Sequence, residues 1–168
     1  MAVPAARIGS PVRLGLLAAV IATAIDQAAK LWLLYGFDLT GRGRVPVTSF
    51  LDLVLAWNTG ISYGLFRQTG PFGQWALLAL KVIAVALLLI WLVRTRSLLS
   101  GLALGRIIGG AIGNAIDRAL HGAVVDFVLL HAGTFRWYVF NLADVAIVVG
   151  VIGLLYDSLV SRDAAKAP

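Results

Sequence analysis

Four long apolar runs alternate with short polar segments along the chain. They extend over about residues 14–35, 72–93, 98–120 and 138–160. A transmembrane helix needs about 20 predominantly apolar residues, so each run is long enough to cross a bilayer. Four spans and their connections nearly use up the 168 residues. The pattern therefore predicts an all-α integral membrane protein with a single membrane-embedded domain over residues 1–168.

The connection between the first two runs is longer than the others and contains turn-forming residues: Gly36, Gly41, Gly43, Pro46 and Gly60. Within it, residues 45–55 are strand-like. We expect a small β element over about residues 37–72 that lies on the membrane. The links at 94–97 and 121–137 are short. Disordered tails are expected over roughly the first ten residues and over 161–168.

Composition indicates that lipid is the solvent of most of the chain. It is 60% hydrophobic and 13% charged, with a mean hydropathy of +0.92, whereas soluble domains are roughly 25% charged. The net charge of +6 does not form a basic stripe with interleaved aromatic residues, so no nucleic-acid partner is expected. Without cysteine, and with two histidines outside any HExxH pattern, neither a thiolate site nor a zinc site is expected.

Basic residues near the ends of the runs predict the orientation. Six fall on one side of the membrane: Arg7, Arg13, Arg94, Arg96, Arg162 and Lys166. Four fall on the other: Arg42, Arg44, Arg67 and Arg136. Because cytoplasmic loops are enriched in Lys and Arg, this modest bias predicts that both termini are cytoplasmic. A cleaved signal peptide is an alternative for the first run, but the run continues to Tyr35, which is long for such a segment.

The first run contains a charged pair. An ionised carboxylate in hydrocarbon costs about 2.5–3.5 kcal/mol on insertion scales, so an intramembrane Asp needs a partner or a function. Asp26 lies about 12 residues into the run, past its middle, and Lys30 follows at i+4 on the same side of the helix. The two either form an ion pair that stabilises helix packing or belong to a functional site.

The third run carries a glycine ridge followed by a polar cluster. Its small residues recur every four positions, which lets another helix approach closely: Gly101, Gly105, Gly109 and Gly113. Directly afterwards, Asn114, Asp117 and Arg118 share one face of the helix. This cluster either satisfies itself through an Asp–Arg pair or holds a loop or a substrate carbonyl.

Two further aspartates are expected at the outer interface. Asp126 follows the third helix, and Asp144 lies in the first turns of the fourth, three residues after Asn141. The short connection makes the two helices neighbours, so the carboxylates can face each other. Two close carboxylates share a proton, which lets the ionised one activate water while the protonated one polarises a peptide carbonyl. Helix capping is the alternative that the spacing leaves open.

Five stretches together resemble the lipoprotein signal peptidase family, also called signal peptidase II. They are DQAAK at 26–30, NTGISYG at 58–64, GGAIGNAIDR at 109–118, GAVVDF at 122–127 and FNLAD at 140–144. Their order and spacing follow the family's pattern across all four spans. Each stretch alone is a weak signal, but the five together are specific.

The resemblance implies a bacterial inner-membrane aspartic endopeptidase that removes signal peptides from prolipoproteins, cutting before a diacylglyceryl-modified cysteine. It implies that Asp126 and Asp144 are the catalytic pair. It also implies that the segment between helices 1 and 2 forms a periplasmic β-cradle that covers the site. The positions that it implies for support or substrate binding are Asp26, Lys30, Asn58, Gly60, Asn114, Asp117, Arg118 and Asn141. No metal or cofactor is expected. The protein is expected to be a monomer surrounded by membrane lipid.

Two basic residues within the spans do not follow from these arguments. Arg106 stands where the family's pattern is apolar, and we expect it to reach toward the cytoplasmic headgroups. Lys81 lies deep in the second helix, and the sequence does not indicate its partner. A small proton or ion carrier and a structural membrane subunit are the alternative functions. The peptidase is favoured because most polar groups collect at one end of the spans instead of being distributed through the membrane.

Overall fold

The computed structural model describes residues 9–60 and 70–164. Its helices are α1 (Ser10–Leu31), continued by a π-helical turn at Trp32–Gly36, then α2 (Leu39–Arg42), α3 (Pro71–Arg94), α4 (Leu98–His121) and α5 (Leu142–Ala164). Four of them, α1, α3, α4 and α5, are long and apolar enough to cross a membrane. The four-span prediction is therefore confirmed, and the chain is a multi-pass membrane protein.

Helix α4 lies at the centre of the bundle and packs against α1, α3 and α5. An apolar cluster joins three of these helices through Ala19 of α1, Leu92 of α3, and Leu104 and Ile108 of α4. Large apolar side chains on the outer faces of α1, α3 and α5 are exposed. This distribution is expected where lipid covers the outside of the bundle.

The predicted glycine ridge is the surface on which α1 packs. A Cβ atom at Gly101, Gly105 or Gly109 would overlap backbone atoms of α1, and one at Gly113 would lie 2.6 Å from Asp26 Oδ2. On the other side of α4, a Cβ atom at Gly110 would overlap the backbone of Ala143 in α5. The absence of side chains at these positions lets α1 and α5 approach α4 closely, as small residues do in membrane bundles.

A four-stranded antiparallel sheet covers one end of the bundle, which we call the sheet end. Its strands are β1 (Val45–Pro46), β2 (Leu51–Asn58), β3 (Val124–Ala132) and β4 (Phe135–Arg136), in that order. A cluster of Leu33, Leu39 and Phe127 joins the sheet to the last turns of the first span and to α2. The β element predicted within 37–72 is thus present over the described residues. Residues 61–69 lie outside the description.

The link at 121–137 is not a plain connection, because it contains β3 and β4. Strand β3 is the longest of the sheet and pairs with β2 in a register that places Ala56 opposite Asp126 and Asn58 opposite Val124. The two strands are far apart in sequence, so no local pattern indicates the pairing. Asp126 belongs to β3, so it lies on a strand and does not simply follow the third span.

Three predicted boundaries are wrong by several residues. The first helix begins at Ser10, and α5 begins at Leu142 instead of 138. The later start of α5 has a clear cause: the backbone of Phe140 hydrogen-bonds with Phe127 and Val128 of β3 at 2.8–3.0 Å, which keeps the preceding residues extended. Residues 161–164, predicted as a tail, are helical. The rest of the predicted tails lies outside the described residues, apart from residue 9.

Candidate active site

The two predicted catalytic aspartates line one cavity of about 50 Å³ at the sheet end of the bundle. Asp126 projects from β3, and Asp144 lies in the first turn of α5. The cavity is also lined by residues from β2, α3 and α4, among them Asn58, Lys81, Asn114 and Arg118. This volume is enough for at least one water molecule. The structure therefore brings together on one small cavity two groups that are 18 residues apart in the chain.

Asn141 hydrogen-bonds to both carboxylates and caps α5, which begins at the next residue. Its Nδ2 donates to Asp126 Oδ1 at 2.6 Å, while its backbone N–H donates to Asp144 Oδ2 at 3.3 Å. In return, the backbone N–H of Asp144 donates to Asn141 Oδ1 at 3.0 Å. These reciprocal bonds form a capping box, which satisfies the free N–H groups at a helix start. The capping alternative for Asp144 is thus realised, yet the same carboxylate also faces the cavity.

Two further bonds to this pair come from neutral amides. Asn58 Nδ2 donates to Asp126 Oδ2 at 3.0 Å, and Asn114 Nδ2 donates to Asp144 Oδ1 at 3.0 Å. Within residues 9–60 and 70–164, neither carboxylate forms a salt bridge. Amides orient both groups without supplying a full positive charge, so the pair can retain a proton.

The electrostatics of Asp126 agree with a shared proton. Burial raises the pKa of this carboxyl, and the nearby charge of Asp144 raises it further. Hydrogen bonds from Asn58 and Asn141 lower it in part, and the resulting pKa is about 7. A carboxyl with this pKa can gain and lose a proton near neutrality, which suits general acid–base chemistry.

Lys30 organises a second group of carboxylates beneath the cavity. Its Nζ lies 2.7 Å from Asp26 Oδ2 and 2.7 Å from Asp117 Oδ2, and it donates to Asn114 Oδ1 at 3.2 Å. Lys30 is 2% exposed and Asp26 is fully buried. The predicted pair of Asp26 and Lys30 therefore forms, with Asp117 as a third member.

Each of these two carboxylates also binds the backbone next to a catalytic candidate. Asp26 Oδ1 accepts a bond of 2.9 Å from the N–H of Ala143, the residue before Asp144. Asp117 Oδ2 accepts a bond of 3.0 Å from the N–H of Val125, the residue before Asp126. Lys30 thus joins the two supports of the carboxylate pair through a single ammonium group.

Arg118 holds the end of β2 and does not pair with Asp117 as a self-satisfied cluster would. Its guanidinium contacts the carbonyl oxygen of Gly60 and donates to Gln74 Oε1 at 3.1 Å. Gln74 in turn donates to the carbonyl of Thr59 at 2.9 Å. This explains why Asn58 and Gly60 lie at the cavity. Residues 61–64 of the NTGISYG stretch are outside the described part of the chain.

Three polar residues of the site were missed or left without a role by sequence reasoning. Gln27 donates to Asp117 Oδ1 at 2.9 Å, Gln74 binds Arg118, and Lys81 lines the cavity. Gln74 and Lys81 are seven positions apart on α3. Seven residues make about two helical turns, so this spacing in an otherwise apolar run was an available signal. Among the described residues, no three His, Asp or Glu side chains are grouped as a metal site requires.

Arg106 lies away from this site. It is exposed on α4, at an apolar groove between α1 and α5. Its neighbours on either side along the helix, Gly105 and Ile107, are buried, so the local packing of α4 is retained. Its reach toward the cytoplasmic headgroups stays a prediction.

A family model described as signal peptidase (SPase) II matches residues 18–160. The chain belongs to the signal peptidase II family. It is 65% identical to the lipoprotein signal peptidase of Rhodopseudomonas palustris (strain TIE-1) over 163 residues, which cover 95% of this chain and 99% of that protein. It is 63% identical to the lipoprotein signal peptidase of Nitrobacter hamburgensis over the same shares of both chains.

Solved structures share the fold of this family member. One bacterial membrane enzyme aligns with a TM-score of 0.78 at 24% identity, over 93% of both chains. A second bacterial membrane enzyme aligns with a TM-score of 0.74 at 25% identity, over 88% of this chain and 94% of the other. The predicted fold is thereby confirmed. Membership of a signal peptidase family makes the chain a protease, and neither the carrier nor the structural-subunit alternative is supported.

Proposed function

We propose that this signal peptidase removes the signal peptides of diacylglyceryl-modified prolipoproteins, and that Asp126 and Asp144 activate the water that cleaves the bond before the lipidated cysteine. The substrate class follows from the relatives named lipoprotein signal peptidase. The assignment of the two aspartates depends on one observation: both line the same cavity while being held by neutral amides.

The reaction needs one proton on the carboxylate pair. The ionised carboxylate removes a proton from a water molecule in the cavity, and the resulting hydroxide attacks the scissile carbonyl carbon. The protonated carboxyl donates its proton to the carbonyl oxygen, which avoids a free oxyanion. The tetrahedral intermediate then collapses: one of its two hydroxyl groups returns a proton to the pair and becomes the new carbonyl, while the leaving amine takes a proton from the pair. The C–N bond is broken and one water is consumed, while the pair returns to its starting state.

The other predicted site residues have supporting roles in this proposal. Asn58, Asn114 and Asn141 orient the two carboxylates. Asp26, Lys30 and Asp117 fix the backbone on which the pair stands. Arg118 fixes Gly60, which follows β2 and lines the cavity where a substrate backbone would lie.

The proposed setting is the bacterial inner membrane, with a monomer surrounded by lipid. Both termini are cytoplasmic and the sheet end faces the periplasm. The basic residues Arg13, Arg94 and Arg96 support this orientation, because they lie toward the opposite end of the bundle. The chain has no cysteine, so single cysteines at Thr134 and at Thr95 can be labelled in spheroplasts with an impermeant maleimide. Labelling of Thr95→Cys, but not of Thr134→Cys, would contradict the orientation.

The test of the catalytic pair uses Asp126→Asn and Asp144→Asn in purified protein reconstituted with a diacylglyceryl prolipoprotein. Each variant removes one participant in proton transfer but keeps the shape of the side chain, so we expect a loss of at least about 10³-fold in rate. Asp157→Asn is the matched control, because Asp157 binds Ser97 and Ser100 at the other end of the bundle. Normal cleavage by both catalytic variants would exclude this mechanism.

A further inference from the structure

Lys81 is a charged group in the cavity whose role the proposed mechanism does not use. It lies within α3, where it is the first charged residue after the helix start at Pro71 and the next is Arg94. Its side chain is partly buried and lines the same cavity as Asp126 and Asp144. A lysine within a membrane span is costly, so its position next to the carboxylates needs an explanation.

The two lysines near the site differ in their partners. Lys30 is fixed by two salt bridges and one hydrogen bond. Within residues 9–60 and 70–164, no hydrogen bond or salt bridge links the Lys81 ammonium to another side chain. Its charge nevertheless acts on Asp144 and Asp126, the two carboxylates with which it interacts electrostatically. Lys81 therefore acts on the pair through its field and not through a fixed contact.

Among residues 9–60 and 70–164, the charged groups at and next to the cavity come from five elements. Helix α1 contributes Asp26 and Lys30, α3 contributes Lys81, α4 contributes Asp117 and Arg118, β3 contributes Asp126 and α5 contributes Asp144. These are four carboxylates and three cations. When Asp126 and Asp144 hold one proton between them, three negative charges face three positive charges. Without Lys81 the same state would carry an excess negative charge.

We propose that Lys81 is a positioning residue that sets the protonation of the carboxylate pair by disfavouring a second proton on it at the pH of the membrane surface. The inference rests on the proposed function, because it assumes that Asp126 and Asp144 carry out the reaction. Its physical basis is that a nearby cation stabilises an ionised carboxylate. A neutral residue at position 81 leaves the pair more basic, so both limbs of the pH–rate profile move to higher pH.

The test compares Lys81→Met with Lys81→Arg and with Arg106→Met. Lys81→Met keeps the length of the apolar stem and removes the charge, whereas Lys81→Arg keeps the charge. Arg106→Met is the matched control, because it removes another cation of a membrane span outside the cavity. The rate of prolipoprotein cleavage is measured from pH 5 to 9, with kcat and KM determined separately.

We expect the profile of Lys81→Met to move up by about one pH unit, the size of effect of a unit charge at roughly 10 Å across an effective dielectric of about 20. On the acidic limb this is about a tenfold loss of kcat, with KM little changed. Lys81→Arg and Arg106→Met keep the wild-type profile. A purely structural role would lower the rate at every pH without moving the limbs.

Superimposable profiles for Lys81→Met and the wild type would overturn the inference, as would an equal displacement in Arg106→Met. If Lys81→Met does not fold, Lys81→Gln serves in its place, with a melting curve for each variant. The two proposals fail separately. Inactive Asp126→Asn with an unmoved Lys81→Met profile removes only the role of Lys81, whereas active Asp126→Asn and Asp144→Asn remove the catalytic pair itself.

Discussion

Two pairs of aspartates lie side by side at the sheet end of this bundle, and they are neutralised in different ways. Asp26 and Asp117 share the ammonium of Lys30 at 2.7 Å each. Asp126 and Asp144 are held by the amides of asparagines. The first pair contacts a fixed cation directly, whereas the hydrogen bonds to the second pair come from dipoles. In the proposed mechanism, the partner of a carboxylate, and not its depth, separates structural from catalytic use.

The comparison is tested most strongly by removing the shared cation. Lys30→Met leaves two buried carboxylates without a counter-charge, and we expect a loss of about 3–5 kcal/mol in the free energy of unfolding. The measurement is chemical or thermal unfolding in detergent. Arg106→Met, which removes an exposed cation of α4, is the control. A loss in Lys30→Met no larger than in Arg106→Met would contradict the structural role of the first pair.

A second substitution sharpens this result. Asp26→Asn in the Lys30→Met background removes one of the two stranded carboxylates, so part of the lost stability is expected to return. The double-mutant cycle then gives the interaction between the two groups directly. If the loss of stability in the double variant equals the sum of the losses in Lys30→Met and Asp26→Asn, the two groups are not coupled.

For the second pair we expect stability to depend on pH. Removing a member of this pair should raise stability at neutral pH, whereas removing Lys30 from the first pair lowers it. The pKa of Asp126 in the folded protein is about 7 against 3.8 for the free side chain. A raised pKa contributes stability that is present below about pH 4 and is lost as the pH rises through about 7. Asp126→Asn lacks this loss, so relative to the wild type it gains about 2–4 kcal/mol between pH 4 and pH 8. Melting curves at both pH values measure the gain.

Asp157→Asn serves as the control for that measurement, because its carboxylate is held by two serines at the far end of α5. A stability difference between Asp126→Asn and the wild type that does not change with pH would show that Asp126 is not protonated preferentially in the folded protein.

The smallest effect is expected at Asp52, a carboxylate of the sheet that resembles the first pair. Burial alone would raise the pKa of Asp52, but Arg44 and His131 lower it below its usual value. A lowered pKa contributes stability above about pH 4 that disappears as the pH falls through the folded-state value. Asp52→Asn should therefore lower the melting temperature slightly at pH 7, by less than Lys30→Met does, and the drop should be smaller at about pH 3. An equal drop at both pH values would argue against this.

The bundle and the grouping of its polar residues at one end could be predicted, but the way these residues are held could not. Apolar length predicts the four spans, and the glycines of α4 predict close packing with another helix, which the structure shows to be α1. Strand β3 was missed because its partner β2 lies far away in the sequence. The bonds from Ala143 to Asp26 and from Val125 to Asp117 were missed for the same reason. They join backbone groups to side chains of other elements, which residue types and spacings do not encode.

The capping box at the start of α5 has a consequence for turnover. The side chain of Asp144 accepts a hydrogen bond from the backbone of Asn141, and the side chain of Asn141 accepts one from the backbone of Asp144. Asn141 also donates to Asp126. The repulsion between the two acids is therefore overcome once, when the polypeptide folds in the bilayer, and not anew for each peptide that arrives. In the proposed mechanism, a pair assembled in advance requires little rearrangement as the peptide bond breaks, which is how preorganised polar groups accelerate a reaction.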